Sequence, residues 1–143
     1  MSVFFVLFSL TPSETIAQNF NGQGKIKFPK TPDYTAVFEK IQKGILSGDI
    51  SQFSEYISDK TFINLSSGKS GYYSVNQSYY ILQEYFHTHK PVSFRFDSIK
   101  DGDNPFAIGT LLYENQTRKD YSQVFISLGH EKSNWTILQF SIK

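Results

Sequence analysis

The chain has 143 residues, enough for one domain with its own core. Its 14 basic and 13 acidic residues leave a net charge of +1 and no basic run, so the footprint that nucleic acid requires is missing. Cysteine is absent, which excludes disulfides, thiolate metal sites, a cysteine nucleophile and a lipoprotein cysteine.

Val3 to Leu10 is an apolar run too short to span a bilayer. Small residues at Thr15 and Ala17 fit a signal-peptidase site between Ala17 and Gln18. No Lys or Arg precedes the run, so either the true start lies upstream of Met1 or the segment is not a signal. We read residues 1–17 as a signal peptide, because an exposed VFFVLF would be an aggregation liability. The expected address is therefore periplasmic or extracellular. Residues 18–30 are polar and Gly-rich and read as a flexible linker, leaving 31–143 as the folded domain.

Thr31-Pro32 predicts a helix start, with Thr as cap and Pro in the first turn. Tyr34, Phe38, Ile41 and Ile45 form one apolar stripe, and Gly48 stops the helix. Asp49 caps a second helix, with Gln52 in capping-box position and Ile50, Phe53 and Ile57 as its apolar face. Thr61 to Leu65 reads as a strand, and Gly68 to Tyr73 as a loop with a second short strand, a hairpin. Ser74 and Gln77 make a capping box for a third helix, whose stripe is Val75, Tyr79, Leu82 and Phe86, widened by Ile81 and Tyr85. Lys90-Pro91 ends it.

Four strands follow. Val92, Phe94 and Phe96 alternate with Ser93, Arg95 and Asp97. Phe106 to Tyr113 is apolar on both faces, which predicts a central strand. Gly109 inside it predicts a bulge or bend. In the third strand Val124, Ile126 and Leu128 share a face. In the last, strict alternation sets Leu138, Phe140 and Ile142 opposite Trp135, Ile137 and Gln139. Short polar turns join the four as an antiparallel meander. Helices segregated before such a sheet predict an α+β fold: a single cone-shaped domain of three helices packed on one curved antiparallel sheet, with a cavity between the layers. The aromatic content of 17 % is then accounted for by strands and core.

Gly71 to Gln77, running into Ile81 to Phe86, resembles the capped-helix motif of an exported bacterial family, domain of unknown function 4783. Ala107 to Leu111, Trp135 to Ile142, and Ile45 to Asp49 followed by Phe53 are similar to its sheet motifs and first helix junction. The resemblance covers about Tyr34 to Ile142. It implies the cystatin-like cone fold of nuclear transport factor 2 and ketosteroid isomerase, a signal peptide, and an exported location. Its motifs are caps, a glycine and core residues, so they specify fold and leave chemistry open.

Few residues suggest chemistry. His87 and His89 point apart on a helix and are too few for a metal, and His130 reads as a solvated turn residue. Gly68-Lys69-Ser70 lacks the earlier glycine of a phosphate-binding loop, since Ile63 stands there. An isomerase-type site needs a carboxylate base inside the cone, and Asp97 is the candidate, against a plain surface Asp beside Arg95. Tyr72, Tyr80 and Tyr85 are candidates to line the cone. No metal or cofactor is expected. The leading functional reading is a non-enzymatic module that binds a small apolar ligand or peptide. One alternative is homodimerisation through an exposed sheet face bearing the Phe106/Ile108 or Trp135/Ile137 set. The other is an isomerase- or dehydratase-type enzyme.

Overall fold

The computed structural model describes residues 33–143. The expected signal peptide with its Ala17/Gln18 junction, the linker and the Thr31-Pro32 helix start lie outside the described residues.

Helix α1 spans Tyr34–Ser47. Its cap is Asp33, whose carboxylate accepts the N–H of Thr35 at 2.9 Å. Gly48 adopts φ 72°, a left-handed turn that favours glycine, and the N–H of Asp49 reaches the Gly44 carbonyl at 2.9 Å. The buried face is Val37, Phe38, Ile41, Gly44 and Ile45, close to the predicted stripe.

The second predicted helix is instead two single 3-10 turns, Ile50–Gln52 and Ser54–Tyr56. Phe53 stands between them at φ −132°, outside the helical range, because its ring turns under α1. Asp49 does cap the first turn, accepting Ser51 N at 3.0 Å and Ser51 Oγ at 2.6 Å. These bonds hold its carboxyl below the ordinary 3.8. Ile50, Phe53 and Ile57 are all buried as predicted. Among the described residues the fold thus has two α-helices, and the second of the three predicted ones is replaced by these turns.

Strands β1 (Phe62–Leu65) and β2 (Ser70–Tyr72) form the hairpin. Helix α2 spans Val75–Thr88 and carries the complete Ser74/Gln77 capping box. Its buried face is Ser78, Leu82, Tyr85 and Phe86, whereas Val75 is 41 % exposed. The meander follows as β3 (Lys90–Lys100), β4 (Phe106–Asn115), β5 (Arg118–Glu131) and β6 (Asn134–Ile142).

All six strands form one sheet in the order β2-β1-β6-β5-β4-β3. The expectation of a wholly antiparallel sheet fails at one joint, where β1 pairs with β6 in parallel. The hairpin is separated from the meander by α2, so β1 can lie beside β6 in the same direction as its neighbour. At the opposite edge, α1 covers β3, and the N–H of Phe96 donates to Gln42 Oε1 at 2.9 Å. That bond ties down a donor on an otherwise open sheet edge.

Three register shifts interrupt the ladders: one leaves Val92 extra near the start of β3, and two more lie deeper in the sheet. In β3, Phe96 pairs with Gly109 and Ser98 with Ile108, leaving Asp97 as the extra residue. In β6, Ile137 pairs with Leu128 and Gln139 with Ser127, leaving Leu138 extra. The β6 bulge reverses the parity of the strand. Trp135 and Ile137 therefore share the inner, helix-facing side with Phe140 and Ile142, and all four are buried. The predicted opposition of Trp135/Ile137 to Phe140/Ile142 is corrected by that one residue.

Gly109 faces the β3 bulge, in keeping with its expected role. A Cβ there would sit 2.6 Å from the Arg95 carbonyl oxygen and 2.8 Å from the Phe94 ring. The backbone contact cannot be relieved by a rotamer change. Gly109→Ala is expected to destabilise the fold by about 1–3 kcal/mol, read as a lower urea midpoint at unchanged slope. An unchanged midpoint would show that the two strands can part there without cost.

Candidate functional site

The inner side of the sheet is filled. Phe38, Phe53, Phe140, Ile41, Leu82 and Leu111 are all less than 2 % exposed. Aromatic rings meet edge to face between Phe38 and Phe96, with centroids 5.5 Å apart. The expected cavity between the layers is occupied by side chains at this depth, and the recesses lie at the surface.

One recess is a groove of about 700 Å³ between the first turns of α1, the second 3-10 turn and the head of β6. Val37, Ile57 and Trp135 give it an apolar floor, and Ala36 and Tyr56 form its walls. Each is placed for a local reason. Val37 lies on the buried face of α1, Ile57 closes the 3-10 segment, and Trp135 faces inward because of the β6 bulge. A salt bridge crosses the rim, with Lys40 Nζ 3.0 Å from Glu55 Oε1 and 5.6 Å from the centre of the Tyr56 ring. The Glu55 and Tyr56 contacts raise the Lys40 pKa, so the ammonium stays charged. An apolar floor beneath a fixed charge pair suits an apolar group with a polar end.

A second arrangement lies where α2 ends against the sheet. The Tyr85 hydroxyl is 2.9 Å from Ser66 Oγ. Its ring stacks on His89 at 4.1 Å, and His89 meets Tyr113 edge-on at 4.9 Å. His89 Nδ1 lies 3.1 Å from the Tyr85 carbonyl oxygen and 2.9 Å from Thr88 Oγ1, so this histidine helps to finish the helix. Burial raises the Tyr85 pKa, against the opposing pull of its bond to Ser66. A shallow recess of about 160 Å³ adjoins Tyr85, and one of about 470 Å³ lies between His87, Lys90 and Glu114.

Of the sequence candidates, Tyr85 alone faces the inner side. Tyr72 and Tyr80 are each 67 % exposed and do not line the cone. Tyr72 falls on the outer sheet face by its pairing with Phe62, and Tyr80 lies on the solvent side of α2. Asp97 belongs to the β3 bulge. Its carboxylate accepts Thr110 Oγ1 at 2.9 Å and lies 4.0 Å from Arg95 Nε, half exposed on the outer face. That position is on the wrong side of the sheet for a base inside the cone. His130 is on β5 rather than in a turn and packs edge-on to Trp135 at 4.8 Å. Among the described residues no group of three metal-ligating side chains forms. Sequence reasoning missed the groove, since its walls come from three distant segments and the β6 bulge is not visible in the alternation.

The raised pKa of Tyr85 has a pH consequence. The folded state favours the neutral phenol, so this contribution to stability is full below the ordinary value of 10.0 and is lost as pH climbs from there through the raised folded value. In an alkaline titration followed at the tyrosinate absorbance, Tyr85→Phe is expected to remove one late-ionising phenol. Its stability loss near neutral pH should be about 1 kcal/mol, from the bond to Ser66. A late phase of unchanged size would show that Tyr85 ionises freely in the native state.

Comparison with known proteins agrees with this architecture. A protein from Bacteroides uniformis ATCC 8492, described as a DUF4783 family protein, superposes with TM-score 0.66 at 21 % identity, covering 73 % of this chain and 94 % of the other. A ketosteroid isomerase-like protein from Erwinia carotovora atroseptica SCRI1043 gives 0.60 at 10 % identity, covering 76 % and 90 %. A domain of unknown function with a cystatin-like fold from Nostoc punctiforme PCC 73102 gives 0.58 at 13 % identity, covering 76 % and 72 %. At these identities the likeness is one of fold. No curated protein matches the chain in sequence. Residues 38–143 match the family described as domain of unknown function (DUF4783), and the chain belongs to that family.

Proposed function

We propose that the chain is a non-catalytic binding module that takes a small apolar ligand, or the apolar side chains of a short peptide, in the groove floored by Val37, Ile57 and Trp135. The observation that carries this reading is the groove itself, about 700 Å³ with an apolar floor and the Lys40–Glu55 pair at its rim. Its size lies within the usual ~300–1,000 Å³ range of ligand sites. The isomerase- or dehydratase-type alternative has less support, because Asp97 and the inner-facing Tyr85 are on opposite sides of the sheet. Tyr85, with its raised pKa, is also a poor base near neutrality.

The module is further proposed to work outside the cytoplasm, on the strength of the apolar run and the Ala17/Gln18 junction. N-terminal sequencing of the protein recovered from its own cell envelope is expected to begin at Gln18. A start at or before Val3 would rule that processing out.

Trp135 is the sole tryptophan, so the groove carries its own reporter. Titration with an anilinonaphthalene dye is expected to shift Trp135 emission saturably. Ala36 is exposed at the groove wall, so Ala36→Arg should block the site without disturbing the core. Affinity is expected to fall roughly tenfold or more, the effect of about 1.4 kcal/mol. Emission indifferent to the dye, or equal binding by Ala36→Arg, would refute the groove as the binding site.

A further inference from the structure

A recess of about 350 Å³ opens where β3, β4 and the start of β5 lie side by side, with Ser93, Arg95, Asp97, Thr110, Leu112 and Tyr121 among its lining residues. Strand register brings them together. Ser93, Leu112 and Tyr121 are cross-strand neighbours in one row, and Arg95, Thr110 and Gln123 in the next. The two rows lie ~7 Å apart, two residues along a strand. The first row has an apolar floor, half-buried Leu112 beside a Tyr121 ring that is 65 % exposed. The second row is polar. Register shifts at Val92 and Asp97 bracket this stretch of β3. The shift at Asp97 adds a carboxylate beside the polar row, where it accepts Thr110 Oγ1 at 2.9 Å and lies 4.0 Å from Arg95 Nε. A bulge that re-aims one side chain is a common feature beside binding sites.

The chemistry of the recess selects its ligand. The Thr110 proton is directed to Asp97, so Thr110 offers lone pairs outward. Asp97 has further acceptor capacity, and the Arg95 guanidinium places a fork of donors next to it. Adjacent donors and acceptors suit a group that gives and takes a hydrogen bond at once, which is a hydroxyl. The charges of Arg95 and Asp97 offset each other, so neither an anion nor a cation is favoured. Tyr121 and Leu112 add an apolar face beside this polar strip. A sugar ring has both matching parts, hydroxyls around its edge and C–H groups on its face. We infer that the recess is a binding site for one neutral pyranose unit, stacked on the Tyr121 ring with hydroxyls on Asp97 and Arg95. The volume lies within the usual ~300–1,000 Å³ of ligand sites. A wholly apolar ligand would cover the Arg95–Asp97 pair without bonding to it, which is costly. An open-chain polyol has the hydroxyls but no flat C–H face for Tyr121. The groove at Trp135 lies on the helix side of the sheet, so the two sites are separate and this one stands without the other.

Saturation-transfer NMR of the full chain tests the site with methyl β-glucopyranoside, methyl β-galactopyranoside and methyl α-mannopyranoside as probes. At least one is expected to bind in the millimolar range, with transfer strongest to the C–H groups of one ring face. Sorbitol, the open-chain control, should receive none. Tyr121→Ala should weaken binding roughly tenfold or more, and Asp97→Asn should weaken it as well. Unchanged far-UV circular dichroism shows that each variant folds. Ala36→Arg, in the groove, should bind the glycoside as the natural chain does. Absence of transfer to all three glycosides in the millimolar range overturns the inference. So does equal binding by Tyr121→Ala, equal binding of sorbitol, or tighter binding of glucuronate than of the neutral sugars.

Discussion

The Phe53 ring is the wedge on which the rest of the structure depends. It enters under α1 at Gly44, where any Cβ would collide with it, and stacks on Phe140 of β6 at 5.8 Å and 14°. One side chain therefore pins the first helix, the 3-10 segment and the middle of the sheet together. Its demands explain local departures from regularity. The chain gives up a second α-helix because Phe53 must leave helical φ to reach the gap. Gly44 sits mid-helix, where it costs about 1 kcal/mol against alanine, because only glycine leaves room for the ring. The same break swings Tyr56 and Ile57 back toward α1, and these residues become one wall and part of the floor of the groove.

Phe140 in turn depends on the bulge at Leu138. Without the extra residue, Trp135 and Ile137 would face solvent while Phe140 faced the core, as alternation predicts. With it, all three point inward, and the outer side of β6 is left to Gln139 and Ser141, which bond to each other at 2.8 Å. The bulge at Asp97 acts similarly on β3. It sets Asp97 toward Thr110 on the outer face and makes room beside Gly109. The Leu138 bulge thus lets both halves of β6 contribute to the apolar inner side of the sheet.

Much of this was legible in the residues. The Ser74/Gln77 box, the Gly48 stop, the hairpin, the strand positions and the Val124/Ile126/Leu128 face all follow from local rules, because each is fixed by neighbours within a few residues. Gly109 announced a bulge, though not that it lay in the partner strand. What could not be read depends on pairing between distant segments. Examples are the parallel β1–β6 joint, the parity change at Leu138, and the assembly of the groove from α1, the 3-10 turns and β6. Tyr72, Tyr80 and Tyr85 show the same divide. All three are tyrosines near one helix, yet only Tyr85 lies on the face that α2 buries. Helical spacing does not say which way the stripe turns by a single residue. Here it turns toward Ser78 and Tyr85 and away from Val75.

The filled interior also bears on where this protein can act. A ligand entering between the helices and the sheet would have to displace rings such as Phe53, Phe38 or Phe140, each less than 2 % exposed. Removing a buried Phe side chain costs about 3–5 kcal/mol, a large part of the ~5–15 kcal/mol that holds a domain together. A cone that binds inside must therefore leave that space lined by smaller residues. This chain instead spends Phe38, Phe53 and Phe140 on closing the cone, and the groove floored by Val37, Ile57 and Trp135 lies at its surface.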